Sequence, residues 1–166
     1  VLMGRYPHYA SVPAKRDRDI VAEALALVGM TERRRQAYST LSGGEQQKTQ
    51  LARVLAQIWR GDADAGPKCL FLDEPTASLD VHYQIHLLDV ARSLLGDGCT
   101  VVAVLHDLNT AFRYGDAFVL LDGGRIAAVT DSARAISREL IEQVFRVRAH
   151  AVSDPVAERT LWEFSL

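Results

Sequence analysis

The chain has 166 residues, 48% of them hydrophobic and 24% charged, which is typical of one globular domain and excludes a disordered or fibrous protein. Its 19 basic and 21 acidic residues give a net charge of −2, so no broad basic surface indicates nucleic acid binding. No apolar run approaches the roughly 20 residues of a membrane span, and Cys69 and Cys99 lie in apolar, strand-like runs typical of reduced core cysteines in a cytosolic protein.

The first part of the chain is predicted to be helical. Residues 1–13, with one glycine and two prolines, are predicted to form a loop or turn. Apolar residues at helical spacing predict a helix over residues 16–28 that ends at Gly29. A second helix is predicted over residues 42–60, and the glycine-containing segment 61–67 ends it.

Strands and helices alternate in the remainder of the chain. Residues 69–72 and 100–105 are apolar runs without polar alternation, which predicts strands that are covered on both faces. Further elements are predicted as helices over residues 81–95, 107–114 and 137–145, and as a hairpin of strands 118–121 and 125–129 around Asp122-Gly123-Gly124. The helix at 81–95 is predicted to bury Val81, Ile85, Leu88, Ala91 and Leu95, and the tail after Ala149 is weakly patterned. This order predicts an α/β sheet with right-handed crossovers.

The sequence Leu41-Ser42-Gly43-Gly44-Glu45 begins the second predicted helix. Ser42 as the N-cap and Glu45 three residues later form a capping box. The two glycines leave backbone N–H groups uncovered at the positive end of the helix, where a phosphate can approach. A capping box alone favours a well-capped helix without a ligand. Glycine costs roughly 1 kcal/mol in a helix interior, so the pair shifts the balance toward close approach of a phosphate.

Two adjacent carboxylates, Asp73 and Glu74, end the first predicted strand, and Pro75 stops it. Carboxylates at the end of a buried strand are costly unless they bind something. In nucleotide chemistry the first carboxylate holds Mg²⁺ and the second takes a proton from an attacking water. The alternative is a solvated strand end whose carboxylates cap the following turn.

His106 ends the second predicted strand, at the carboxyl edge where α/β folds bind their ligands. By itself, His106 is better explained as an incidental histidine before a helix that Asp107 caps. Its position relative to the two preceding motifs is therefore the informative feature.

In order and spacing, the motifs LSGGE, LFLDEP, SLD at residues 78–80 and a strand ending in His106 resemble those of ATP-binding-cassette (ABC) ATPases. The resemblance extends through nearly the whole chain and implies a P-loop NTPase-like ABC ATPase domain with a mostly parallel sheet. It implies that residues 1–60 are a helical subdomain with the signature helix. Residues 61–166 are then the C-terminal part of the ATPase core, followed by the C-terminal tail.

The resemblance also implies roles for individual residues. The loop Leu41-Ser42-Gly43-Gly44-Glu45 resembles the signature, which contacts the γ-phosphate of ATP bound by the other subunit of a homodimer. Asp73 resembles the Walker B aspartate that supports Mg²⁺, and Glu74 resembles the catalytic base. Asp80 resembles the D-loop aspartate at the dimer interface, and His106 resembles the switch histidine that senses the γ-phosphate.

Two features depart from the family pattern. Glu45 stands where the family most often has Gln, and because a carboxylate repels a triphosphate, Glu45 is predicted to fold back onto the helix cap. The chain also lacks the phosphate-binding sequence G-x-x-x-x-G-K-[ST], since its lysines, Lys15, Lys48 and Lys68, follow Ala, Gln and Pro. That loop and the N-terminal strands are expected upstream of Val1, so the truncated chain is expected to be inactive alone.

Sequences outside the motifs resemble one group of importers. GEQQKTQLARVLAQIW, HDLN and VLMGRYPH resemble importer ATPases for iron chelates, vitamin B12 and haem, and VFRVRAHAVSDP most resembles the haem branch. The predicted function is therefore coupling of ATP hydrolysis to hemin import, at the cytoplasmic face of the inner membrane. The implied partners are a second ATPase subunit, transmembrane permease subunits near residues 4–8 and, indirectly, a periplasmic substrate-binding protein, with no nucleic acid. The alternatives are import of ferric siderophore or vitamin B12, a DNA-associated ATPase and a non-enzymatic remnant.

Overall fold

The computed structural model describes residues 1–59, 66–77, 79–154 and 159–166, and of residues 154 and 159 it describes the backbone only. The chain divides into two compact units, Val1–Val104 and Leu105–Leu166. The predicted division between residues 60 and 61 and Ser78 of the SLD motif lie outside the described residues, so that division stays a prediction. Among the described residues, no helix is both long and apolar enough to span a membrane.

The helices of the first unit begin and end close to the predicted residues. Helix α1 spans Lys15–Leu27 and α2 spans Gly43–Gln57, and Gly29 after α1 has a φ of 69°, a conformation that glycine adopts without strain. The segment predicted as a loop contains a 3₁₀ helix over Leu2–His8, with Pro7 inside it. Proline fits there because its fixed φ lies within the range of a 3₁₀ helix.

Arg5 and Asp17 form an ion pair that the first unit buries. Arg5 Nε lies 3.0 Å from Asp17 Oδ1, and the exposed fractions of the two side chains are 2% and 7%. Arg5 Nη1 also donates to the Ala56 carbonyl at 2.8 Å, and Asp17 Oδ2 accepts the Ala14 N–H at 2.9 Å. The ion pair therefore joins the 3₁₀ helix to α1 and α2, because its charges are satisfied only when all three segments are in place.

The strands of the first unit form one parallel pair. Strand β1, Lys68–Asp73, pairs with β2, Cys99–Val104, in a register that places Asp73 opposite Val104. Helix α3, Val81–Ser93, lies between them in the chain, as a parallel connection requires. This parallel pair agrees with the α/β sheet predicted from the sequence.

The prediction that these strands are covered on both faces is wrong for this chain. Leu70 is 2% exposed, whereas its neighbour Phe71 is 74% exposed and Val104 is 48% exposed. The cysteines differ likewise, because Cys99 is buried and Cys69 is exposed. Side chains alternate between the two faces of a strand, and the described residues cover only the face to which Leu70 belongs.

Helix α3 buries a different face from the one predicted. Leu88 and Ala91 are buried as expected, but Val81, Ile85 and Leu95 are exposed, and Leu87 and Val90 are buried instead. The sequence of α3 is apolar on several sides, so helical periodicity alone does not select one face. Leu95 also lies beyond α3, in a 3₁₀ helix over Leu94–Asp97.

The described residues of the second unit form two pairs of antiparallel strands, two α-helices and a 3₁₀ helix over Ala133–Ala135. The helices are α4, Leu108–Tyr114, and α5, Arg138–Phe145; the strands are β3, Phe118–Asp122, β4, Arg125–Thr130, β5, Arg148–Asp154, and β6, Arg159–Ser165. The β3–β4 hairpin turns at Gly123 and Gly124, whose φ values are 55° and 77°, as the Asp-Gly-Gly sequence predicts. The antiparallel β5–β6 hairpin occupies the tail that was not predicted as strand. The core of this unit contains Leu108, Phe118, Leu120, Ile136, Ile141 and Ala149.

The buried ion pair predicts a specific dependence of stability on pH. The hydrogen bond from Arg5 holds the pKa of Asp17 below its ordinary value of 3.8, so the carboxylate takes up a proton when the chain unfolds in acid. Its stabilisation is present above about pH 4 and is lost as the pH falls through the lower pKa of the folded state. We expect Asp17→Asn to reduce proton uptake on unfolding by up to about one proton, measured by urea denaturation across pH 2–5.

Asp19→Asn, at an exposed position of the same helix, is the matched control and should keep the pH dependence of the original chain. The same pH dependence in Asp17→Asn as in the original chain would contradict the role of the ion pair.

Candidate functional site

The turn before α2 is closed by reciprocal hydrogen bonds. The Ser42 N–H donates to Glu45 Oε2 at 2.9 Å, and the Glu45 N–H donates to Ser42 Oγ at 3.3 Å. These bonds confirm that Glu45 folds back onto the helix cap, and the bond from the Ser42 N–H is the main reason that the pKa of Glu45 lies below its ordinary range. Gly43 is exposed, and a Cβ placed on it would meet no atom within 4 Å. The first turn of α2 is therefore open to a ligand on the side of Gly43.

The surroundings of this turn limit the negative charge that Glu45 presents. Arg33 Nε lies 3.4 Å from Glu45 Oε1, with both side chains partly exposed. Gln46 Nε2 donates to the carbonyl of Leu41 at 3.1 Å, and Leu41 is buried. Arg33 offsets the carboxylate charge, and Leu41 with Gln46 fixes the backbone that leads into the turn.

Two carboxylate residues lie at the end of β1. Asp73 and Glu74 are both exposed, and the Glu74 N–H still donates to the Val104 carbonyl of β2 at 3.2 Å. Glu74 has a φ of 44°, a left-handed conformation that costs a non-glycine residue about 1–2 kcal/mol. Strain of this kind is concentrated at functional sites. It was not predicted from the sequence, because only a glycine or asparagine would have indicated it.

The segment after Glu74 is tied to helix α3. Asp80 caps α3, because its Oδ1 accepts the Tyr83 N–H at 3.0 Å. Gln84 Nε2 donates to the carbonyls of Thr76 at 3.1 Å and Leu79 at 3.0 Å. Gln84 therefore ties two carbonyls of the segment between β1 and Asp80 to α3, a role that no sequence pattern indicated.

Helices α2 and α3 are linked by a cation–π contact. Lys48 Nζ of α2 lies 2.8 Å from the centroid of the Tyr83 ring of α3. Next to Tyr83 on α3, His86 Nε2 lies 2.6 Å from the carbonyl oxygen of Leu27. The contact between Lys48 and Tyr83 therefore joins α2, which Ser42 caps, to α3, which Asp80 caps.

His106 belongs to the second unit. It is exposed and comes directly before Asp107, the N-cap of α4, whose Oδ1 accepts the Thr110 N–H. Asn109 makes two further hydrogen bonds, to the backbone of Trp162 in β6. The structure thus places His106 at the beginning of a capped and anchored helix, as the sequence predicts for a helix that Asp107 caps.

Comparison with known proteins gives the family. A family model described as "ABC transporter" matches residues 5–77. Hemin import ATP-binding protein HmuV of Gloeobacter violaceus is 46% identical over 155 residues, which are 93% of this chain and 56% of that protein. This chain is part of an ABC transporter ATPase domain. It spans about half the length of the curated relatives that it matches.

Solved structures show the same fold. A metal-chelate type ABC transporter in an inward-facing conformation matches with a TM-score of 0.77 at 22% identity, over 99% of this chain and 63% of that one. The dimeric, post-hydrolysis ATP-binding cassette MJ0796 bound to ADP and Pi matches with a TM-score of 0.61 at 30% identity, over 74% and 50%. These matches show that the fold of this chain is the one found in ABC cassettes.

The contact between Lys48 and Tyr83 predicts a measurable loss of stability. Tyr83→Leu removes the aromatic ring under the ammonium group and should lower the free energy of unfolding by about 0.5–2 kcal/mol. Tyr83→Phe keeps the ring face and is the matched control, which should stay within about 0.5 kcal/mol of the original chain. Urea denaturation measures both values. Equal losses in the two variants would show that the ring face does not stabilise the α2–α3 contact.

Proposed function

We propose that the complete subunit of which this chain is part binds and hydrolyses ATP in an ABC importer, with hemin as the transported substrate. The observation that carries the proposal is the closed turn at Ser42–Glu45, open on the side of Gly43, in a chain whose β1 ends in Asp73 and Glu74. The 46% identity to a hemin import ATP-binding protein supports the choice of hemin. Ferric siderophore or vitamin B12 is the alternative cargo.

The turn at Ser42 supplies one half of an ATP site. Uncapped N–H groups at a helix N-terminus attract a phosphate, and Gly43 lets the phosphate approach them closely. The other half is a phosphate-binding loop, which this chain does not contain in its sequence. In the proposed homodimer, ATP lies between that loop of one subunit and Leu41-Ser42-Gly43-Gly44-Glu45 of its partner, with Asp80 at the interface. This chain by itself is proposed to be inactive.

Glu74 is the proposed general base of hydrolysis. Its exposed carboxylate follows a strand end that two backbone hydrogen bonds hold, one from its own N–H to Val104 and one from the Ala77 N–H to its carbonyl. A base held in this way removes the proton of a water aligned with the γ-phosphate. The backbone of Glu74 has a φ of 44°, and strained conformations of this kind are concentrated at functional sites.

Asp73 is the proposed ligand for Mg²⁺. Among the described residues, no group of three or more His, Cys, Asp or Glu side chains could hold a metal ion. An exposed single carboxylate fits Mg²⁺, which proteins bind through one or two carboxylates together with water and substrate phosphates. When bound, Mg²⁺ offsets the charge of the phosphate oxygens during phosphoryl transfer. Asp73 would hold and orient the ion.

His106 is the proposed sensor of the γ-phosphate, directly before Asp107, the N-cap of α4. Transmembrane permease subunits are the proposed partners that convert closure of the dimer into transport, with a periplasmic binding protein acting on the permease. Residues 4–8 fit the permease contact, since Tyr6 is 73% exposed on a 3₁₀ helix that Arg5 fixes from within. The subunit is accordingly proposed to act at the cytoplasmic face of the inner membrane. A net charge of −2 argues against a DNA-associated role.

Substitution of the proposed base tests the mechanism. In the complete subunit, Glu74→Gln should lower ATP turnover by about 10²–10⁴-fold while ATP binding persists, because the amide keeps the shape but accepts no proton. Phosphate release measures turnover, and equilibrium titration with labelled ATP measures binding. Glu23→Gln, exposed on α1, is the matched control and should hydrolyse ATP at the original rate. Unchanged turnover in Glu74→Gln would remove Glu74 from its role.

Comparing two serine caps distinguishes a signature role of Ser42 from a purely structural role. In both caps, the serine Oγ accepts the N–H of the residue three positions later. Ser42 caps α2 and Ser137 caps α5, where the Leu140 N–H donates to Ser137 Oγ at 3.2 Å. Substitution of either serine by alanine should lower the free energy of unfolding by about 1 kcal/mol. Only Ser42→Ala should also lower ATP-dependent dimerisation of the Glu74→Gln subunit, measured by sedimentation. Equal dimerisation of both variants would show that Ser42 acts as a cap alone.

A further inference from the structure

Asn109 joins helix α4 to strand β6 by two hydrogen bonds from one side chain. Its Nδ2 donates to the Trp162 carbonyl at 2.9 Å, and its Oδ1 accepts the Trp162 N–H at 2.8 Å. The two partners fix the orientation of the amide, because the N–H requires an acceptor and the carbonyl requires a donor. The side chain thus pairs with β6 as a neighbouring strand would.

The strand that Asn109 contacts is held on its other edge. Trp162 lies opposite Ala151 in the antiparallel β5–β6 register. In such a pair, a residue directs its N–H and C=O to the same side, so Trp162 directs both toward α4 and away from β5. The Trp162 side chain packs against the core of the second unit, and Ala149 of β5 is fully buried in that core. Asn109 is therefore tied to a strand that is paired with β5 on one edge and packed against the core through Trp162.

On α4, the anchored residue lies within one turn of His106. Asp107 caps the helix through the Thr110 N–H, and Leu108 is buried in the core. The backbone that carries His106 is consequently fixed by three neighbours: a cap, a buried side chain and the pair of bonds to β6. Only the last of these joins α4 to the C-terminal hairpin by polar contacts.

We propose that Asn109 is a positioning residue for ATP hydrolysis, holding His106 in place through its two hydrogen bonds to the C-terminal β5–β6 hairpin. The proposal rests on the proposed role of His106 and extends it, since it makes the C-terminal hairpin part of the apparatus that controls hydrolysis. A side chain that acts on the position of the sensor affects the rate of the chemical step more than the affinity for ATP.

The chain offers a closely matched control at Thr130. Thr130 Oγ1 donates to the Ser132 carbonyl at 3.3 Å and accepts the Ser132 N–H at 3.1 Å, so it too makes one donated and one accepted bond to the backbone of a single residue. Both side chains are half-buried in the second unit. Thr130 lies at the end of β4, outside α4 and the C-terminal hairpin.

The test compares Asn109→Ala with Thr130→Ala in the complete subunit. Asn109→Ala should lower kcat for ATP roughly 3- to 30-fold and change KM less than about twofold, whereas Thr130→Ala should change each less than about twofold. Hydrogen exchange, measured without nucleotide, should become faster at the amides of α4 and at Trp162 in Asn109→Ala only.

Three outcomes separate the proposals. Full hydrolysis by His106→Ala would overturn the proposed role of His106. Loss of hydrolysis in His106→Ala, with equal kcat in Asn109→Ala and Thr130→Ala, would overturn the positioning role of Asn109 alone. Unchanged hydrogen exchange in α4 of Asn109→Ala would also overturn it, whatever the rate of hydrolysis.

Discussion

Side-chain oxygen atoms at helix N-termini fix the backbone at three of the proposed functional segments. Ser42 caps α2, Asp80 caps α3 and Asp107 caps α4, next to His106. Each cap satisfies an N–H group that the helix itself leaves without a partner. The helix terminus then keeps its remaining N–H groups and its partial positive charge in a fixed place. A phosphate site at a helix N-terminus depends on the cap, because a frayed first turn offers neither ordered N–H groups nor a fixed partial positive charge.

Glu45 shows how one residue can serve the cap without opposing the ligand. An acidic residue in the first turn stabilises the helix dipole, yet its charge repels a triphosphate. Here the Glu45 carboxylate accepts the Ser42 N–H and lies 3.4 Å from Arg33 Nε, so contacts within and beside the turn offset its charge. The remaining opening is at Gly43, where no side chain intervenes. The same contacts that lower the pKa of Glu45 therefore hold its carboxylate on the helix cap.

The sequence predicts what local chemistry determines. The capping box at Ser42, the Gly29 end of α1 and the Asp-Gly-Gly hairpin depend on neighbouring residues, and each is confirmed. Contacts between distant residues were not predicted, since Asn109 and Trp162 are 53 positions apart. No pattern along the chain records such a pair. The buried face of α3 was assigned incorrectly for the same reason, because packing partners decide it.

One face of the β1–β2 pair is exposed, although its apolar residues predict that it is covered. Phe71 and Val104 are residue types that are typical of a strand buried on both faces, yet they are 74% and 48% exposed. Burial of one large apolar side chain is worth about 1.5–3 kcal/mol, so an uncovered face of this kind weakens the sheet that holds Glu74. The chain spans about half the length of its curated relatives and is a partial domain. The proposed role of Glu74 in the complete subunit therefore requires a cover for Phe71 as well as the second half of the proposed phosphate site.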